Sequence, residues 1–150
     1  MAKIWILLAD SGAARLLQTE DAGATLSELQ AWADPDARLP AREREADGPG
    51  RSFDSKGMGR HAMEPDTDPK TREAQKFARL LAEQLHQGRV NHGVQRMALV
   101  APPAFLGQLR AAIDAQTRQL VRCELDKDLV KSDERALRQY LPAELFSTLG

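Results

Sequence analysis

The segment IWILLADSG, residues 4–12, decides the fold, because six consecutive apolar residues are followed at once by Asp, Ser and Gly. A short apolar run with β-branched and aromatic members predicts a strand that is buried on both faces. Asp and Ser bond locally to backbone and Gly accepts a positive φ, so residues 10–12 predict a tight turn. A second strand over residues 14–19 then pairs with the first as a hairpin.

A turn at residues 21–23 and a third strand over residues 25–32 complete an antiparallel meander. The composition then changes. Residues 33–68 hold four of the ten glycines and four of the eight prolines, and their nine hydrophobic residues follow no period. Such a stretch in a compact domain is typically functional or mobile. We therefore assign residues 33–68 to a long loop between the third strand and the helix that follows.

The second half of the chain alternates helices with strands. Asp68 is a good N-cap and Pro69 suits the first helical position, while Gly88 and Gly93 predict the helix end. Strands are predicted over residues 97–101 and 121–125, because the first is a short apolar run and the second alternates apolar with charged residues. Pro102-Pro103 ends the first of these strands, and the further helical segments cover residues 103–113, 114–119 (a short helix or turn), 133–140 and a last turn from Pro142.

The order β-β-β-α-β-α-β-α predicts the fold class. The last two strands require helical crossovers, which place them parallel to a neighbour with helices against the sheet. We predict a single α/β domain over residues 1–150, with a mixed five-stranded sheet of ribonuclease-H-like type. At 150 residues the chain suits one core and argues against a two-lobed enzyme with a separate cofactor domain.

Charge and targeting features narrow the class of partner. The formal net charge is −1, so the chain has no general attraction for nucleic acid or anionic membranes, and such binding requires a local patch. The single Cys123 forms no intramolecular disulfide, which fits a reducing compartment. The apolar run of residues 4–9 is too short for a signal peptide or a membrane span. We expect a cytoplasmic protein without a membrane partner.

Two groups of acidic residues are candidates for metal ligands. Asp10 ends the first strand, where two-metal nucleases hold one of several carboxylates, but residues 97–101 contain no Asp or Glu to join it. We predict that Asp10 instead caps the hairpin turn. A second acidic cluster matches no standard zinc or calcium spacing; it contains His61, Glu64, Asp66 and Asp68. We expect no metal and no cofactor.

The remaining reactive side chains are predicted to be structural. Cys123 alternates with charged neighbours on a strand, which favours a small core residue over a nucleophile. His86 and His92 flank a helix end and are expected on the surface. No set of nucleophile, histidine and carboxylate is assignable from the sequence alone.

The most unusual sequence is GPGRSFDSKGMGRHAMEP, residues 48–65. Glycines let a backbone approach phosphate closely, and Arg and Lys add charge-assisted hydrogen bonds. We predict a phosphate- or RNA-binding loop that consists of Arg51, Lys56, Gly57, Gly59 and Arg60. The alternative is a solvated loop in which Arg51 and Arg60 pair with nearby acids.

Residues 49–55, 57–65 and 67–70 resemble the bacterial host-attachment protein family, whose members are described as required for attachment to host cells. Residues 8–12, 99–107 and 124–129 fit the same family, so the resemblance spans almost the whole chain. The family is regarded as a relative of the central domain of archaeal and eukaryotic class-1 peptide-chain release factors. In that domain a Gly-Gly-Gln loop between the third strand and the long helix enters the ribosomal peptidyl-transferase centre.

The resemblance implies a release-factor-like fold and a ribosomal or tRNA partner. The chain contains no Gly-Gly-Gln, and Arg60-His61 stands about where the Gln is expected. Peptidyl-tRNA hydrolysis is therefore not expected, while His61 is the catalytic candidate that could orient a water. Whether the protein is an enzyme stays open.

Three functions remain open at the level of sequence. The first is a cytoplasmic ribosome- or RNA-associated factor that uses the basic glycine-containing loop, with the ribosome or tRNA as partner and no DNA. The second is a non-catalytic regulatory or interaction protein that acts indirectly in attachment to host cells. The third is a small hydrolase with His61 at its site. A homo-oligomer is compatible with all three.

Overall fold

The computed structural model describes residues 3–20, 25–33 and 69–146. Along the chain the elements are β1 (Lys3–Ala9), β2 (Ala13–Glu20), β3 (Ser27–Ala33), α1 (Pro69–Asn91), β4 (Val94–Val100), α2 (Pro103–Ala112), α3 (Ala115–Arg118), β5 (Val121–Leu125), α4 (Glu134–Arg138) and α5 (Ala143–Phe146). The strands form one sheet in the order β3-β2-β1-β4-β5. Strand β2 runs antiparallel to β1 and β3, whereas β4 and β5 run parallel to β1. The predicted mixed five-stranded α/β fold is confirmed.

Strand β1 lies at the centre of the sheet and is buried on both faces, as its continuous apolar sequence predicts. Successive side chains of β1 point to opposite faces of the sheet and so contribute to two hydrophobic cores. Trp5, Leu7 and Ala9 pack with residues of α1 and α2, while Ile4, Ile6 and Leu8 pack with Leu129, Val130 and the short helices near the C-terminus. The sheet therefore lies between two layers of helix, and β1 contributes to both.

Helix α1 covers one face of the sheet with an apolar stripe. Its buried positions include Ala74, Phe77, Ala78, Leu81 and Leu85, which recur at helical spacing and so form one face. The rings of Phe77 and Phe105 stand 5.9 Å apart and join α1 to α2.

The predicted end of α1 at Gly88 is wrong. The helix continues to Asn91, and Gly93, with φ of 73°, follows its end. Gly88 is buried inside the helix because the indole of Trp5 packs against it; a Cβ at this position would lie 2.7 Å from Trp5 Cε3. Glycine is required here by close packing rather than by the termination of the helix.

The other element boundaries differ modestly from the predictions. Strand β3 covers Ser27–Ala33, β4 begins at Val94 instead of residue 97, and α4 is confined to Glu134–Arg138. Asp133 caps α4 by accepting a hydrogen bond of 2.8 Å from the amide of Ala136. The predicted turn at residues 21–23 lies outside the described residues.

Strands β1, β3, β4 and β5 all point in the same direction, so their last residues lie at one edge of the sheet, which we call the carboxyl edge. Helix α1 runs the opposite way. Near its end Gly88 faces Trp5, and the carbonyl of His92 accepts a hydrogen bond of 2.7 Å from Lys3 Nζ. The first residues of α1 consequently lie at the carboxyl edge.

Candidate functional site

The carboxyl edge is where this fold has room for a site. In open α/β sheets ligands bind outside the carboxyl ends of the strands. Strand β3 ends there at Ala33 and α1 begins there at Pro69. The two residues that flank the segment 34–68 therefore lie at the same edge.

The loop residues predicted from sequence lie outside the described residues. They are Arg51, Lys56, Gly57, Gly59, Arg60 and the catalytic candidate His61. Glu64, Asp66 and Asp68 of the acidic cluster lie outside them as well. Their assignment to phosphate binding or to catalysis therefore stays a prediction, and only the two attachment points of the segment are fixed by the fold.

Asp10 serves the hairpin turn, as predicted. Its Oδ1 accepts hydrogen bonds from the amides of Gly12 at 2.8 Å and Ala13 at 2.7 Å, and its own amide donates to the carbonyl of Ala13 at 2.8 Å. The carboxylate is therefore occupied by backbone donors. Across residues 3–20, 25–33 and 69–146, no three His, Cys, Asp or Glu side chains come together as a metal site would require.

A row of basic residues lies on the exposed side of α1. Arg72, Lys76 and Arg79 are all exposed, and spacings of four and three residues put them on one helix face. A rise of about 1.5 Å per residue separates successive members by about 6 Å and about 4.5 Å along the axis. We call these three residues the basic row.

The start of α1 is basic where helices prefer acids. Residues 69–80 contain four basic residues and one acid, and the first turn holds no acid. The N-terminal end of a helix carries partial positive charge, so a cation such as Lys70 or Arg72 there costs about 0.3–1 kcal/mol. Cations at this end raise the local positive potential, which favours anions. Residues 69–80 therefore carry a net charge of +3 (four basic residues and one acid), although the overall charge is −1.

On the opposite face of the sheet the carboxyl edge contains a cleft of about 520 Å³. Its floor is formed by small side chains at the start of β2 and at the end of β3. Its wall is formed by the residues that precede α4. We call it the alanine-floored cleft; its lining consists of Ala13, Ala14, Arg15, Glu28, Ala31, Trp32, Ala33, Val130 and Lys131.

Arg15 joins the floor of this cleft to its wall. Its Nε donates to Glu28 Oε1 at 2.8 Å, and its Nη1 donates to the carbonyls of Val130 and Ser132, both at 2.9 Å. The arginine side chain is 27% exposed and that of Glu28 is 43% exposed. A planar guanidinium held by three acceptors has a fixed orientation, because each bond restricts the same rigid fork.

A second polar cluster lies near the end of α1, away from the carboxyl edge. Asp114 accepts hydrogen bonds from the hydroxyl of Thr117 at 2.6 Å and from its amide at 3.1 Å, while His86 and Arg89 approach the same carboxylate at 3.5 and 3.7 Å. The Thr117 hydroxyl is the main cause that lowers the pKa of Asp114, and Arg89 and His86 add to it. Asp114 is the N-cap of α3, so the cluster fastens α1 to α3.

The histidines and the cysteine follow the sequence predictions in outline. His92 is exposed, and His86 is partly exposed within the Asp114 cluster. Cys123 is buried, and burial raises the pKa of its thiol, with a smaller contribution from Glu124. A buried thiol of raised pKa is a poor nucleophile, which agrees with a core role. No helix in the described part of the chain is both long enough and apolar enough to cross a membrane.

Similarity to solved structures is remote. A crystal structure of an archaeal translation termination factor aligns with a TM-score of 0.49 at 10% identity, over 96% of this chain and 36% of that one. The Ppx/GppA phosphatase of Aquifex aeolicus aligns with a TM-score of 0.40 at 12% identity, over 83% of this chain and 35% of that one. The chain thus spans about a third of either protein. No curated protein matches the sequence.

The sequence resemblance is confirmed at the level of the family. A family model matches residues 5–141, which begin within β1, end after α4 and include at least part of every strand of the sheet. The chain belongs to the family described as "Protein required for attachment to host cells".

Proposed function

We propose that this protein is a cytoplasmic RNA-associated factor that holds the phosphate backbone of tRNA or ribosomal RNA against the carboxyl edge. The observation that carries the proposal is the basic row Arg72, Lys76 and Arg79 on the exposed face of α1. Lys and Arg side chains on one helix face are the usual means of contacting phosphates without reading sequence.

The placement of the row supports this function. It begins at the edge where Ala33 and Pro69 attach residues 34–68 to the fold. Residues 51–60 of that segment contain three basic residues and one acid, which would supply further phosphate contacts. The positive field of the row itself attracts a polyanion.

The family description fits an indirect role. An RNA-associated factor in the cytoplasm would affect attachment to host cells through the synthesis of other proteins rather than by touching the host. This reading unites the first two functions that the sequence left open.

The test measures binding of the purified protein to tRNA and to ribosomes at several salt concentrations. Each phosphate contact steepens the dependence of log K on log salt by about 0.7 to 1. The variant Lys76→Gln with Arg79→Gln keeps helix propensity, and we expect it to lower that slope by about 1.5 to 2. The control, Arg122→Gln with Arg135→Gln, removes the same charge from exposed positions elsewhere and should leave the slope unchanged.

Two results would contradict the proposal. One is the absence of binding to either RNA at low salt. The other is an equal loss of slope in the basic-row variant and in the control variant, because the attraction would then come from net charge alone. Cell fractionation tests the location separately, and recovery of the native protein at the cell surface would overturn the cytoplasmic assignment.

A further inference from the structure

The alanine-floored cleft lies on the opposite face of the sheet from α1 and has no role in the function proposed for the basic row. Register pairs Ala13 with Ala33 and Arg15 with Ala31, so these four side chains share one face of the sheet. Methyl groups leave space where larger side chains would fill the face. The resulting volume of about 520 Å³ lies within the range of about 300–1,000 Å³ that small-molecule sites occupy.

Arg15 provides an oriented cation at this cleft. Three of its five N–H groups donate to Glu28, Val130 and Ser132, and Nη2 donates to no group in residues 3–20, 25–33 or 69–146. A guanidinium fixed through Nε and Nη1 presents Nη2 without further loss of rotamer freedom. Such preorganisation strengthens the binding of an anionic oxygen.

The charges of the lining favour an anion. Arg15 and Lys131 are cationic and Glu28 is anionic, and the Glu28 carboxylate is engaged by Arg15 at 2.8 Å. Lys131 is exposed and stands next to Val130 on the cleft wall. The two cations outnumber Glu28 by one, so the lining carries a net charge of +1, and a phosphate group has enough oxygens to contact both cations.

We propose that the alanine-floored cleft binds a nucleotide, with its phosphate at Arg15 and Lys131 and its ribose or base over Ala13, Ala31 and Ala33. The floor supplies apolar contact, and the two cations supply the charge that a phosphate ester needs. The nucleotide can belong to the bound RNA or be free in solution. In the first case the inference rests on the proposed function, and in the second it is independent of that function.

Isothermal titration calorimetry with adenosine 5′-monophosphate and with inorganic phosphate tests the site. We expect the nucleotide to bind more tightly than phosphate. Ala31→Phe fills the floor from an exposed position, so it spares the core and should abolish the preference for the nucleotide. Lys131→Gln should lower the affinity for the nucleotide by about tenfold, which is equivalent to the loss of one charge-assisted hydrogen bond. Arg135→Gln removes an exposed cation that does not line the cleft, so it is the control and should change nothing.

The variants separate this inference from the proposed function. The basic-row variant Lys76→Gln with Arg79→Gln should bind the mononucleotide like the wild type, and Ala31→Phe should keep the wild-type salt slope with tRNA. A 5′-phosphorylated oligonucleotide that displaces the mononucleotide from the wild-type protein would identify RNA as the source, whereas an oligonucleotide that leaves it bound would identify a free nucleotide. Absence of mononucleotide binding, or binding indifferent to Ala31→Phe and Lys131→Gln, would overturn the cleft assignment and leave RNA binding at α1 untouched.

Discussion

Gly88 of α1 lies against the face of the Trp5 indole, so closely that a Cβ on the glycine would stand 2.7 Å from Trp5 Cε3 and from Cη2. The indole is 5% exposed, and its Nε1 donates to Gln18 Oε1 at 2.8 Å, which fixes the ring from the other side. Neither the helix nor the ring can move without breaking other contacts. The glycine therefore sets how closely α1 approaches the centre of the sheet.

Gly88→Ala should destabilise the protein although alanine is the better helix former. Overpacking against Trp5 costs about 1–3 kcal/mol, while the gain in helix propensity is about 1 kcal/mol. Urea denaturation followed by circular dichroism gives the free energy of unfolding. Gly107→Ala in α2 is the matched control, because a Cβ there meets no atom within 4 Å and the substitution should stabilise. Equal stabilisation by both substitutions would show that the contact with Trp5 does not limit packing.

Asp10→Ala should lower the free energy of unfolding by about 1–2 kcal/mol, since the amides of Gly12 and Ala13 lose a charged acceptor. Asp10→Asn keeps an acceptor oxygen, so it should lower the free energy of unfolding by less than Asp10→Ala does. The same urea experiment measures both variants. Because the carboxylate serves the turn, neither substitution should alter tRNA binding; a loss of binding in Asp10→Asn with stability preserved would instead give Asp10 a functional role.

Asp114 should make stability depend on pH at the acidic end of the range. Its pKa is lowered in the folded state, mainly by the Thr117 hydroxyl, so the unfolded chain binds a proton more readily. The stabilisation is therefore complete above the unfolded value, which is about 3.9, and is lost as pH falls through that value and below it. We expect wild type and Asp114→Asn to differ more in urea midpoint at pH 6 than at pH 3.

Thr117→Val provides the companion test for Asp114. It removes the donor that contributes most to the lowered pKa, so its acid dependence should resemble that of Asp114→Asn. Asp133→Asn is a control, since this residue also caps a short helix but lies in another part of the surface. An unchanged acid dependence in Thr117→Val would assign the effect instead to the amide of residue 117, Arg89 and His86, which the substitution leaves in place.

The strands and the apolar stripe of α1 were predictable because they depend on periodicity, which is a local property. Gly88 was misread because a glycine that ends a helix and a glycine under a tryptophan look the same in sequence. The start of β4 was placed too late for a related reason. Arg96 makes the segment look polar, yet it is 8% exposed and donates from Nη1 to the carbonyl of Leu145 at 3.1 Å.

The candidate sites differ in how far they could be predicted. The spacing of Arg72, Lys76 and Arg79 is visible in the sequence, but their position near the carboxyl edge depends on the direction of α1 against the sheet. The cleft could not be predicted, because Arg15 and Val130 are brought together only by the tertiary fold. The register in which β2 pairs with β3 also shifts at a bulge between Leu16 and Leu17, and no residue pattern predicts this bulge.

Residues 34–68 are joined to the fold at Ala33 and Pro69, both at one edge. The entropic cost of closing a loop grows slowly, by about 0.6 kcal/mol for each doubling of its length. A change in the number of residues between Ala33 and Pro69 would therefore cost the fold little closure entropy. The sheet and α1 can hold these two attachment points fixed while evolution alters the length of the sequence that joins them.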